Sequence, residues 1–143
     1  MIYRTFIITI LWSAMALVNS CSNNQGPYTD GKYSGCSRSV YTNEPYWGHV
    51  TITIKNGWIS AVEFQVIDSA KNEKFDDQYE KYFAGNDLYI QQCRNDMEGI
   101  RTYPAELIRN HDMEKVDVVT GATWSYNILT SAVDDALKNA KRR

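Results

Sequence analysis

Histidine is scarce in this 143-residue chain, with only His49 and His111, far apart in sequence. The three cysteines, Cys21, Cys36 and Cys93, complete no ligand spacing with them, so no tetrahedral metal set is legible. Positive charge is not in surplus either. Lys+Arg number 15 against 17 Asp+Glu, for a formal net charge of -2, and no basic field points to nucleic acid. Long apolar runs are missing too. The longest, over residues 6–18, is shorter than the about 20 residues a transmembrane helix requires. No nucleophile–base pair and no carboxylate dyad stands at an informative spacing, so nothing indicates catalysis on a second substrate. What remains, with 43% hydrophobic and 22% charged residues, is the composition of one globular domain.

The first twenty residues read as an export signal. Arg4 is their only charge, the apolar run follows, and Asn19-Ser20 leads into Cys21. Val18-Asn19-Ser20-Cys21 resembles a bacterial lipobox, which implies cleavage before Cys21, lipidation of that cysteine and a membrane-anchored protein facing the periplasm or cell exterior. Asn19 departs from the smaller residues commoner at that position, and Val18 and Ser20 also suit a non-lipid signal peptidase. Residues 21–28 are polar and read as a tether, leaving residues 29–143 as the domain. In an oxidising compartment Cys36 and Cys93 either pair as a disulfide or stay as buried thiols.

The body of the chain reads as α+β. Asp30-Gly31-Lys32-Tyr33-Ser34-Gly35 opens it, and Tyr33 and residues 36–41 suit strand. Val50, Ile52 and Ile54 alternate with polar residues up to Asn56-Gly57, the preferred two-residue hairpin turn. Val62, Phe64 and Val66 continue the pattern on the return. One apolar face implies a sheet covered on one side, with helices mainly on that face. Helical spacing is visible over residues 75–85 and 88–97. Gly99 and Pro104 are expected to break it, with a further turn over residues 105–109. Residues 116–120 are β-prone. After them, Ile128, Leu129, Ala132, Val133, Ala136, Leu137 and Ala140 form one stripe, a C-terminal helix. Thr123 and Ser125 are both N-cap types for its start, and such a start favours an anion.

The turn entering that helix reads Asp117-Val118-Val119-Thr120-Gly121-Ala122-Thr123-Trp124-Ser125. Asp-x-x-Thr-Gly-Ala-Thr resembles the flavinylation motif of the FMN-binding domain family, which includes subunits of sodium-pumping NADH:quinone reductases and Rnf-type complexes. The opening Asp-Gly-x-Tyr-x-Gly string is similar to the start of those domains, and the resemblance spans roughly residues 29–140. It implies covalent FMN, joined by a phosphoester to Thr123, with Asp117, Thr120, Gly121 and Ala122 forming the turn around the acceptor. It also implies that an external Mg²⁺-dependent flavin transferase does the attachment. Where the family often continues with two small hydroxyl residues, only Ser125 keeps that character. Asp117 is expected to bond backbone N–H groups of the turn or to help the transferase recognise it. Trp124 stands either as a ring-stacking residue or as a core anchor for the last helix, and Tyr46-Trp47 are candidates to wall the same slot.

The expected function is an extracytoplasmic electron carrier working between membrane-bound redox partners, not an enzyme in its own right. Two other readings remain open at this point: the same fold binding FMN or sensing a small ligand without a covalent bond, and a cofactor-free structural lipoprotein.

Overall fold

The computed structural model describes residues 25–37 and 44–142. The export segment, Cys21 and most of the strand expected over residues 36–41 lie outside the described residues. Four strands form one antiparallel sheet in chain order: β1 (Gly31–Cys36), β2 (Tyr46–Lys55), β3 (Trp58–Asp68) and β4 (Glu73–Lys74). Two helices, α1 (Asp87–Asn110) and α2 (Thr123–Leu137), complete the α+β fold.

The central hairpin forms where alternation placed it. Asn56 and Gly57 take φ values of 54° and 79°, as a two-residue turn with both positions left-handed requires. Asp30 closes this turn from outside: its carboxylate accepts the N–H of Gly57 at 2.7 Å and of Asn56 at 2.9 Å. Those two bonds hold its carboxyl below the usual range. The opening Asp-Gly-x-Tyr-x-Gly string therefore starts with a residue that fastens the hairpin. Residues 26–28, within the stretch read as a tether, lie against the same turn, with Gly26 N–H donating to the Asn56 carbonyl and Tyr28 N–H to that of Gly57.

Val50, Ile52 and Ile54 of β2 are buried, as are Ile59 and Val66 of β3. A register shift beside Thr53 and Ile54 brings Ile59 and Val62, an odd number apart, to the same side. Against this face pack Leu107 of α1 and Leu129, Ala132, Val133 and Ala136 of α2. Among the described residues no helix is long and apolar enough to cross a membrane. Cys36 and Cys93 are free thiols.

Three sequence expectations change. First, α1 is a single helix of 24 residues that runs through Gly99 and Pro104. Proline deletes one N–H bond inside the helix, but Tyr103 and Leu107 on either side of it are fully buried. Gly99 is no breaker here, because a Cβ would lie 2.6 Å from the Tyr103 ring and 2.8 Å from Ser125 Oγ. Second, the helix expected over residues 75–85 reduces to a 3-10 segment, Tyr79–Phe83. Asp76 uses its carboxylate to accept the Gln78 N–H at 2.9 Å, a local turn that competes with helix. Third, residues 116–120 join no strand. The Val119 N–H donates to the Tyr103 hydroxyl at 3.2 Å instead of to a sheet neighbour.

β1 and α2 approach each other at Gly35. A Cβ at that position would meet the Ala132 carbonyl oxygen at 2.2 Å and the Ala136 nitrogen at 2.4 Å, both backbone atoms that cannot swing aside. Gly35→Val is expected to lower stability by about 1–3 kcal/mol through overpacking, read as a fall in the urea midpoint at unchanged slope.

Candidate functional site

The motif turn is built by α1 as much as by its own residues. Val119 to Ala122 close a turn through an Ala122 N–H bond to the Val119 carbonyl at 2.9 Å. Gly121 sits in it at φ 80°, a conformation that an L side chain rarely adopts. Tyr103 of α1, fully buried, grips both ends. Its hydroxyl accepts from Val119 N–H and donates to the Ala122 carbonyl at 3.0 Å. Gln92, one face of α1 further toward its start, donates through Nε2 to the Gly121 carbonyl at 2.7 Å and to Asp96 Oδ2 at 2.7 Å.

Asp96 then caps α2 from across the interface. The N-cap position falls on Ala122, which offers no side-chain acceptor, rather than on Thr123 or Ser125 as expected. The Asp96 carboxylate, 3% exposed, accepts the Ser125 N–H at 3.1 Å and lies 2.9 Å from Ser125 Oγ. Ser125 thus continues the buried stripe one turn before Ile128, because its polar groups have partners. By contrast α1 carries its own cap, with Asn86 accepting the Tyr89 N–H. The positive end of α2 already meets a carboxylate, so the pull of the helix start on a further anion, typically about 0.3–1 kcal/mol, is partly spent. Helix geometry leaves the Thr123 and Trp124 N–H groups without intrahelical acceptors.

Thr123 is the first residue of α2 and is exposed. Its hydroxyl makes no hydrogen bond among the described residues. Thr120 and Asp117 are exposed as well, and Ala122 is fully buried. Asp117 accepts no backbone N–H among the described residues; the shaping expected of it is done by Tyr103 and Gln92.

Beside this turn opens a cleft of about 460 Å³ lined chiefly by Tyr46, Phe75, Phe83, Cys93 and Trp124, with Gln92, Asp96 and Glu44 at its polar edge. That is within the usual size for small-molecule sites, about 300–1,000 Å³. Trp124 is half-buried, packs against the smaller of the two core clusters and lines the cleft. It packs edge-on to Tyr46, with centroids 5.2 Å apart, and tilted on Phe75 at 5.1 Å, while Nε1 donates to Glu44 Oε2 at 2.9 Å. Tyr46 walls the cleft, but Trp47, next along β2, falls on the opposite face of the sheet and does not line it. Burial, with the Glu80 carboxylate second, pushes the Cys93 thiol up to about 11, so it stands neutral in the wall.

Tyr46 is itself held in place. Tyr79 bridges it to the fully buried Asp68, with hydroxyl distances of 3.1 Å to Tyr46 and 2.5 Å to Asp68 Oδ2. Burial would raise the Asp68 carboxyl, but Lys71 at 2.8 Å, Tyr79 and the N–H groups of Ala70 and Lys71 outweigh it and bring it down to about 2. Sequence patterning did not single out Gln92, Asp96 or Asp68, and Tyr103 stood only as one of several aromatics, with nothing to show that its hydroxyl grips the motif turn. The i, i+4 spacing of Gln92 and Asp96 was a signal that one helix face carried both.

An apolar aromatic cleft, an exposed hydroxyl at a helix start and a small-residue turn between them suit a planar cofactor held at its phosphate end. The family model of the FMN-binding domain matches residues 43–138. The chain belongs to the FMN-binding domain family and is a flavoprotein domain by that membership. Its fold is similar to that of the CPE2226 protein from Clostridium perfringens, known from a crystal structure. The TM-score is 0.58 at 17% identity, over 78% of this chain and 88% of that one. At that identity the likeness concerns the fold alone. No curated protein matches the chain.

The Asp68 anchor sets a pH dependence. Its folded-state value lies below that of an unfolded aspartate, about 3.9, so its contribution is full above about pH 4 and is lost as pH falls toward 2. Urea titrations between pH 2 and 6 are expected to show wild type losing up to about 2 kcal/mol more than Asp68→Asn over that window. Parallel pH profiles for the two proteins would contradict this.

Proposed function

We propose that this domain carries FMN covalently on Thr123 and works as an extracytoplasmic electron carrier, anchored to a membrane through lipid on Cys21. The observation that carries the reading is the exposed Thr123 hydroxyl, unbonded among the described residues, one residue from the Trp124 wall of the aromatic cleft. A buried hydroxyl, or one tied to the protein, could not be reached by a second enzyme.

A threonine hydroxyl is a weak nucleophile and needs a base and a metal-activated phosphoryl donor, and no group of His, Cys, Asp and Glu that could hold a metal ion stands among the described residues. The protein is therefore the substrate of attachment by a flavin transferase. Thr123 Oγ1 attacks the riboflavin-side phosphorus of FAD, the pyrophosphate P–O bond breaks, AMP leaves, and the hydroxyl proton passes to a base of the transferase. Gly121 and Ala122 keep the turn small enough for close approach to the phosphate. Tyr46, Phe75, Phe83 and Trp124 supply the apolar slot for the ring, and Gln92 presents an amide at its edge. FMN bound there would supply one- or two-electron transfer, with Tyr46, Phe75, Phe83 and Trp124 holding the ring and membrane-bound redox partners exchanging the electrons. The covalent bond makes physical sense, because a helix start is worth only about 0.3–1 kcal/mol to an anion and Asp96 already takes part of that at Ser125.

Non-covalent FMN binding in the same cleft is the second reading, favoured by the apolar aromatic lining of the cleft and its volume of about 460 Å³. Wild type and Thr123→Ala, each produced with a flavin transferase, separate the two. The expected outcome is in-gel flavin fluorescence from wild type alone, with the mass of FMN on the Thr123 peptide. Flavin released from wild type by heat, with no adduct, would establish non-covalent binding instead. A colourless wild type would leave a cofactor-free lipoprotein.

A further inference from the structure

Four residues of α1 face the motif at spacings of four, three and four: Gln92, Asp96, Gly99 and Tyr103. Each meets the turn or the first turn of α2 directly. Gln92 is the most informative of them. It is exposed on the surface of α1, yet its amide makes two 2.7 Å bonds, one to Gly121 and one to Asp96. An exposed side chain adds little to the stability of the core, so this bridge bears on the shape of the turn. Asp96 is informative in another way. A carboxylate is a poor neighbour for a phosphodiester, so its place at the start of α2 is explained by what it holds, Ser125 and Gln92, and not by attraction for the cofactor.

Building on attachment at Thr123 as read above, we propose that Gln92, Asp96 and Tyr103 are positioning residues that present the Thr123 hydroxyl to the flavin transferase. A turn containing Gly121 samples many backbone conformations when unrestrained. Phosphoryl transfer requires the attacking oxygen in line with the leaving group, so only the turn conformations that present the hydroxyl that way are competent acceptors. The clamp fixes Gly121, Ala122 and Ser125 by hydrogen bonds from one rigid helix, and leaves Thr123, between them, as the exposed residue. The Thr123 side chain is then offered in one arrangement while its neighbours are held.

A clamp of this kind changes the fraction of acceptor molecules that are competent, so its loss raises the concentration of apoprotein needed for loading and spares the maximal rate. Loading with purified flavin transferase, FAD and Mg²⁺, followed by flavin fluorescence over a range of apoprotein concentrations, reads this split. Gln92→Met is expected to raise the half-saturating concentration about tenfold, with its thermal midpoint close to wild type. Asp96→Ala is expected to do the same and to speed amide hydrogen exchange at Ser125 by about tenfold or more in the unloaded protein. Asp96→Asn, which keeps an acceptor for the Ser125 N–H, recovers part of both. Wild-type loading curves in Gln92→Met and Asp96→Ala, or a uniform loss of maximal rate, would overturn the clamp and leave attachment at Thr123 standing. A wild type that never acquires flavin would overturn the attachment, and with it any presentation of Thr123.

Discussion

The start of α2 has no cap of its own, and the carboxylate of Asp96 supplies one from the neighbouring helix. A missing N-cap typically costs about 0.5–2 kcal/mol. Here the acceptor comes from a residue 29 positions away in sequence, buried at 3% exposure. That contact ties the two helices at the point where the family motif sits. It requires α1 and α2 to approach closely, and Gly99 is the residue that permits the approach. The geometry of the motif turn therefore depends on a helix–helix interface, and the interface in turn depends on both helices covering the same face of the sheet.

The site divides into two parts with different physics. The turn is polar and held by directional bonds from Tyr103, Gln92 and Asp96. The cleft beside it is apolar and held by packing among Tyr46, Phe75, Phe83 and Trp124. A chain of hydroxyl and carboxylate groups, Tyr46–Tyr79–Asp68–Lys71, stiffens the apolar wall from behind. Trp124 joins the two parts, since it follows Thr123 in α2 and forms a wall of the cleft. A ring in the slot and a phosphate at the turn would thus be placed by adjacent residues of one helix.

The hairpin was legible because its rule is local: alternation sets the faces, and Asn56-Gly57 tolerates the positive φ values found there. The stripe of α2 was legible for the same reason. The expected breaks in α1 at Gly99 and Pro104 did not occur, because helix propensity is a weak prior when burial opposes it. Tyr103 and Leu107 are fully buried around Pro104, and Gly99 is selected by the room that Ser125 requires. Residues 116–120 have β propensity but join no strand, and Tyr103 takes the Val119 N–H that a strand would have used.

The amino-acid order alone determined the α+β class, the central hairpin and its turn, the final helix and the membership signalled by Asp117-Val118-Val119-Thr120-Gly121-Ala122-Thr123, since each follows from spacing or spelling within a short window. The tertiary structure alone decided what surrounds Thr123. The cap on α2, the grip of Tyr103 and Gln92, and the aromatic cleft are made by residues distant in sequence, and spacing along one helix shows which residues share a face but not what that face will meet.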